Sequence, residues 1–309
     1  MANQGQRATA MVAALASAGA IGLGVAGPAA AGEAACVAVP KDRIAVQLYS
    51  LRDALASTSP ADRPEALFAA LGAIGFAGVE RFAGTSGLTV DAYRAAADRH
   101  GLKVVGSHES LDPAGWAGRL AEARALGQTH IGSGGFGGPG LDTLEDTLET
   151  ARNLNRLGEQ AAAQGLVLVV HNHDGELTRL HDYDLDGDGA PEPTRVWEII
   201  AAETEPHWVS FELDVHWTRV GLGVDRFEET LDFVRRHRDR IALLHVKDTT
   251  ADGSIADLGR GTTDWARLFE AAGPGVAAYI WEHDNPADPL ASARIAYDFL
   301  SCGAAKPHS

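Results

Sequence analysis

A single (β/α)8 barrel is the fold this sequence predicts, on three observations: eight short apolar runs, longer amphipathic runs between them, and a total span of about 260 residues. A doubly wound open sheet is the alternative. It is disfavoured because neither a G-x-G-x-x-G nor a Walker loop follows the first apolar run.

In chain order the predicted strands are Arg43–Leu48, Gly78–Phe82, Lys103–Ser107, Thr129–Gly132, Leu166–His171, Trp208–Asp214, Ile241–Val246 and Val276–Glu282. The intervening helices carry start and stop signals. Thr89 caps a run that stops at Gly101, Thr143 with Asp146 makes a capping-box pattern, and Asp288-Pro289 opens a run that stops at Gly303. In the fourth of them Leu144, Leu148, Ala151 and Leu154 fall at helical spacing.

The barrel is expected over 43–303, with a linker at 32–42 and a tail at 304–309. Residues 1–31 read as a signal peptide. An Ala/Gly/Val/Leu run follows Arg7, Ala29 to Ala31 offer small residues for cleavage, and no acid precedes Glu33. An uncleaved anchor or an Ala-rich tail is the alternative. Glu33 stands where a lipobox needs an aliphatic residue before Cys36, so no lipoprotein is expected. The leader predicts export to the periplasm or outside the cell, where a Cys36–Cys302 bridge and two unrelated thiols are both allowed.

Composition narrows the partners. With 26 Lys plus Arg against 42 Asp plus Glu, the net charge is 26 − 42 = −16, so the surface repels phosphate backbones and anionic lipid. Nucleic acid is not an expected partner, nor is a membrane for the mature form; a homo-oligomer is left open. Two cysteines cannot build a zinc-thiolate cluster, so any metal must be held by His and carboxylate.

Barrel active sites form where strands end and loops begin. Here those ends read Gln47-Leu48-Tyr49, Glu80-Arg81, His108-Glu109, His171-Asn172-His173-Asp174, Glu212-Leu213-Asp214, His245-Val246-Lys247-Asp248 and Glu282-His283-Asp284. A charge turned into a dehydrated mouth costs several kcal/mol unless it is paired or bound to a cation. A metal resolves that cost. His171, Asp214, His245 and Glu282 end strands five to eight and can converge on one divalent ion, a mixed N/O set suited to Mn, Fe, Co or Zn. A metal-free ion-pair network is the competing account.

Strand periodicity puts His171 and His173 on one face, with Asn172 on the other, and puts Lys247 on the face of His245. For the base the expectation is Glu282 or Glu80, with His173 and Lys247 as acid or oxyanion partner. Lys247 is equally explained by a salt bridge to Asp214 or Glu282, and His173 and His108 by hydrogen-bonding support of the ligands. Gln47, Tyr49 and His108 are expected to contact a ligand in the mouth, and Trp217 either stacks on a ligand ring or packs the rim.

Taken together these segments resemble the xylose isomerase-like TIM-barrel superfamily, the sugar phosphate isomerases and epimerases. The likeness rests on 44–52, Gly75-Phe76-Ala77-Gly78-Val79-Glu80, His171-Asn172-His173-Asp174, Glu212-Leu213-Asp214-Val215, His245-Val246-Lys247-Asp248, Gly259-Arg260-Gly261 before Asp264-Trp265, and Glu282-His283-Asp284-Asn285-Pro286. It implies the metal ligands His171, Asp214, His245 and Glu282, with Glu80, His108, His173 and Lys247 on the substrate side. It further implies a sugar or keto-sugar substrate and proton abstraction beside a metal-polarised carbonyl. One departure stands out. Ketose epimerases of the superfamily carry glutamate where this chain has His171, so the shuttle between two carboxylates is incomplete and a lyase, as in inosose dehydratases or enzymes of 3-keto-glycosides, is the runner-up.

The rivals from other classes are a phosphodiesterase of the endonuclease-four type, against which the −16 charge argues, and a sugar-binding barrel without catalysis, against which four competent ligands argue. Asp184, Asp186 and Asp188, with Gly189 one residue beyond, imitate half a calcium loop, but Arg195 at the twelfth position breaks it; a solvated insertion after strand five is the alternative. The basic run Arg235 to Arg240 is expected to close a helix, where cations offset the dipole.

Overall fold

The computed structural model describes residues 38–57, 63–82 and 84–302. They fall in one unit, Glu33–Ser309. The predicted leader at 1–31, Cys36 and the tail at 304–309 lie outside the described residues; Cys302 is disulfide-bonded.

Eight parallel strands form the centre: β1 Ile44–Gln47, β2 Gly78–Arg81, β3 Lys103–Ser107, β4 His130–Ser133, β5 Val167–His171, β6 Val209–Asp214, β7 Ile241–Val246 and β8 Ala278–Trp281. They are the eight apolar runs read from the sequence, with ends that differ from the expected ones by at most two residues. Their order is β3-β2-β1-β8-β7-β6-β5-β4. A parallel bridge between His108 and Gly132 brings the two outer strands together, and the Glu109 N–H donates to the Gly132 carbonyl at 2.6 Å. The ring is a nearly closed (β/α)8 barrel.

Among the described residues eleven α-helices surround it: α1 Arg52–Ser57, α2 Arg63–Ile74, α3 Val90–Arg99, α4 Trp116–Ala125, α5 Leu144–Ala162, α6 Gly175–Thr178, α7 Val196–Glu203, α8 Val215–Leu222, α9 Phe227–His237, α10 Trp265–Ala272 and α11 Pro289–Ser301. The predicted caps form. Thr89 accepts from Ala92 N, Thr143 from Asp146 N and Asp288 from Ala291 N, each satisfying an orphan donor of the first turn. The basic run ends α9, and His237 pairs with Glu198 of α7. No helix among the described residues is long and apolar enough to cross a membrane.

Two apolar layers result from strand alternation. One, between strands and helices, includes Val46, Val79, Phe211, Leu244 and Trp281. The other fills the barrel interior with Ala45, Val169, Leu243, Ala278 and Ile280. Small residues are required there: a Cβ on Gly132 would lie 2.1 Å from the Val169 carbonyl oxygen. Two residues further along those same inward faces stand Gln47, His171, His245 and Glu282, so the apolar plug is the floor of a polar mouth.

The expected insertion after strand five is a two-stranded antiparallel hairpin, Leu180–Tyr183 with Glu192–Arg195, and Asp184 to Gly189 form its turn. A second small hairpin pairs Asp248–Thr249 with Ile255–Ala256 after β7. Neither was predicted as strand, because four-residue and two-residue segments with polar alternation give no apolar signal.

Candidate metal and active site

The strand ends converge. Ligand atoms of His171, Asp214, His245 and Glu282 all lie within 4.8 Å of one another, and so do those of an overlapping set, His108, His171, Glu212 and His245. The first is the set expected from the sequence. Glu212 was not singled out there, although it could have been: it precedes Asp214 by two residues, so any register that turns Asp214 inward turns Glu212 inward too.

His245 is the hub. Fully buried, it places Nε2 at 2.8 Å from Glu80 Oε2 and 3.1 Å from Glu212 Oε1, and Nδ1 at 2.9 Å from Glu282 Oε2. Lys247, also buried, sets Nζ at 2.7 Å from Glu282 Oε2 and at 2.9 Å from both Asp214 Oδ2 and Asp284 Oδ1. The salt bridge anticipated for Lys247 therefore exists, to both named partners. His108 Nε2 is 2.7 Å from Glu212 Oε2, and Gln47 Nε2 donates to Glu80 Oε2 at 2.8 Å.

Backbone geometry fixes Asp214. Strand β6 runs directly into α8, and Asp214 caps that helix by accepting from Trp217 N at 2.8 Å through Oδ1, leaving Oδ2 to the mouth. Asn172 faces away from the mouth, as alternation requires, and its Oδ1 accepts from Asp214 N at 3.0 Å. The outward residue of the His171-Asn172-His173 run thus ties β5 to the ligand on β6.

Charge is unevenly matched. Burial opposes ionisation of Glu282, but Lys247 and His245 outweigh it and hold the carboxyl well below its usual range. Glu212 is likewise held low, against burial, by His245 and His108. Burial and the neighbouring Glu212 charge push Glu80 up to about 6. Desolvation favours neutral His171, and the His245 charge adds to it, so its pKa lies well below the ordinary value. For Lys247 three carboxylates override desolvation and raise the pKa.

The donors present fit a divalent ion. Glu80 Oε1 and His171 Nδ1 are buried without a hydrogen-bond partner, and unsatisfied buried acceptors of this kind cost free energy unless a donor or cation meets them. Imidazole with carboxylate suits a transition ion. Asp184, Asp186 and Asp188 also approach within 4.8 Å of one another, but they are exposed or half-buried and Asp188 and Asp186 are engaged by turn amides.

A cavity of about 370 Å³ opens above the cluster, lined by Tyr49, Phe82, His108, Gly134, His171, His173, Lys247, Glu282, Asp284 and Asn285. Five residues expected to act on substrate therefore line it: Tyr49, His108, His173, Lys247 and Glu282. Three stand behind it. Glu80 and Gln47 are fully buried beneath, and Trp217 packs against His173 at 5.5 Å between ring centroids and under Lys247. Phe82, Asp284 and Asn285 were not expected; their place follows from loop paths that local sequence does not encode.

The fold and the mouth together define a parallel (β/α)8 barrel whose carboxyl end gathers imidazoles, carboxylates and one lysine. Residues 68–300 match the model of the xylose isomerase-like TIM barrel family, and the chain belongs to that family. Among solved structures it is similar to a sugar phosphate isomerase/epimerase from Parabacteroides distasonis ATCC 8503, with 21% identity, TM-score 0.70, and coverage of 89% of this chain and 99% of that one. It is similar to the probable 3-DHS dehydratase AsbF of Bacillus anthracis, involved in petrobactin synthesis (12% identity, TM-score 0.63, 83% and 97% covered). An L-ribulose 3-epimerase aligns with 16% identity and TM-score 0.61, over 84% of this chain and 94% of that one. No curated protein matches the chain. At these identities the likeness to solved structures speaks for the fold.

Proposed function

We propose that the protein is a divalent-metal-dependent enzyme of the isomerase/epimerase type, acting on a sugar or keto-sugar by removing a proton next to a carbonyl. The observation that carries the reading is the approach of His171, Asp214, His245 and Glu282 within 4.8 Å at the base of a polar cavity. A divalent ion held by those four would supply Lewis-acid polarisation of a carbonyl and its neighbouring hydroxyl.

The chain's own residues do the rest. Glu282, kept ionised by Lys247 and His245, faces the cavity as the base. Lys247 stays an ammonium and donates to developing negative charge on substrate oxygen. His173, exposed on the cavity wall, is placed to return a proton. Glu80 acts from below by holding His245 Nε2. Tyr49 and Phe82, packed edge to face at 5.4 Å, give the apolar wall a sugar ring needs and limit water.

A lyase outcome is the second reading. It is favoured by one observation: β5 ends in His171 and not in a carboxylate, so Glu282 lacks the partner that would reprotonate the opposite face. The test is solvent deuterium exchange into keto-sugars, keto-glycosides and inososes by metal-reconstituted protein, followed by NMR. Exchange that needs the metal supports the proposal, with olefinic product marking the lyase; exchange indifferent to metal refutes it. The reading extends to an exported enzyme with residues 1–31 removed, which N-terminal sequencing of the protein from its native host checks.

A further inference from the structure

His171 and His245 each stand between two groups of carboxylates. Toward the open end, His171 Nε2 is 3.9 Å from Asp214 Oδ2, and His245 Nδ1 is 2.9 Å from Glu282 Oε2. On their other edges, His171 Nδ1 is 3.7 Å from Glu212 Oε2, and His245 Nε2 is 3.1 Å from Glu212 Oε1. Glu212 lies one strand layer below Asp214, and His108 reaches it from β3 at 2.7 Å.

We propose that Glu212, His108, His171 and His245, with Glu80 Oε2 beside them, form a second cation position beneath that of Asp214 and Glu282, one that takes a divalent transition ion. This goes beyond the proposed function, which uses the upper position alone. Three observations carry it. The four ligand atoms lie within 4.8 Å of one another, and a tetrahedral shell with bonds near 2.1 Å needs them roughly 3.4 Å apart, an adjustment within side-chain reach.

Unmet demand is concentrated there as well. His171 Nδ1, the edge turned toward Glu212, is buried with no hydrogen-bond partner, whereas on the upper side Asp214 Oδ2 already meets the Lys247 ammonium at 2.9 Å. Charge agrees with this. The upper carboxylates already hold the Lys247 ammonium, whereas Glu80 and Glu212 meet imidazoles and no Lys or Arg among the described residues. Three imidazoles select Zn, Co or Fe over Mg or Ca.

A neutral imidazole has one free lone pair, so His171 and His245 serve one position at a time and the two positions compete for them. That competition gives the test. Full-length protein stripped with chelator is titrated with Co²⁺, reading affinity by calorimetry and ligand set by visible absorption. Asp214→Asn keeps the α8 cap while weakening the upper position; it is expected to retain one Co²⁺ with a nitrogen-rich spectrum. Adding Glu212→Gln or His108→Asn to it should weaken that ion at least 10-fold.

No Co²⁺ bound by folded Asp214→Asn overturns the lower position, as does binding that neither second substitution changes. The two readings separate cleanly. If Asp214→Asn leaves wild-type binding and spectrum untouched while Glu212→Gln abolishes them, the lower position stands and the upper one fails; the reverse pattern removes only the lower. Absence of any Co²⁺ binding by wild type refutes both. Circular dichroism confirms folding of each variant, and the two alternative second substitutions keep the result readable if one misfolds.

Discussion

Removing the His245 ring while metal is absent is the sharpest perturbation of this protein. His245→Ala is expected from the sequence to lose metal and activity together and to leave the fold intact. The structure changes the last part. With the ring gone, Glu80, Glu212 and Glu282 lose contacts of 2.8, 3.1 and 2.9 Å at once, and the first two of these carboxylates are fully buried. Breaking a buried pair by deleting one partner costs about 3–5 kcal/mol, because the remaining charge is left uncompensated. Set against a total stability of about 5–15 kcal/mol, that is a large fraction. For a domain of this size each kcal/mol moves Tm by about 2–4 °C, so a fall of roughly 6–20 °C is expected. The assay is thermal unfolding in chelator, wild type beside variant. Metal added at 100 times its Kd should then stabilise wild type by about 2.7 kcal/mol and the variant far less. A chelated variant melting within 1–2 °C of wild type would refute the claim that these carboxylates depend on the imidazole.

Further expectations concern other parts of the mouth. Lys247→Met strands Asp214, Glu282 and Asp284 without their shared ammonium, and should cut deuterium exchange by at least about 10²-fold while costing about 3 kcal/mol in urea unfolding. Gly261→Ala pushes a Cβ to 2.3 Å from Asp248 Oδ1 and 2.5 Å from the Thr249 carbonyl oxygen, and should cost about 1–3 kcal/mol by the same measurement. Desolvation, with help from the Lys247 charge, lowers His216 to about 4. Because its folded pKa lies below its unfolded one, the unfolded chain takes up the proton first. Stability on the order of 2 kcal/mol is therefore present above pH 6.5 and lost as pH falls toward 4. His216→Gln should flatten that part of the stability curve, as followed by Tm against pH in chelator.

Strand ends were legible wherever an apolar run stopped at a charge. Val167–His171 and Ile241–Val246 lie within one residue of their predicted limits because a buried parallel strand must be apolar nearly throughout, and a polar residue marks its emergence into the mouth. The ligand set was legible for the same reason: His171, Asp214, His245 and Glu282 are the inward polar residues at the ends of four successive strands. Glu212 escaped notice because it sits one layer deeper, within an apolar context, where only its contacts to His108 and His245 give it meaning.

Local sequence therefore determined the parts and their order: eight strands, their caps, their inward faces, and the residues that emerge at each end. It could do so because periodicity and burial act over a few residues at a time. Which donors share a space was decided only by closure of the barrel, which brings Glu80 within 2.8 Å of a histidine 165 residues away and lets one imidazole face two acids. Distances of that kind depend on strand stagger and on the pairing of His108 with Gly132, and no short stretch of chain encodes them.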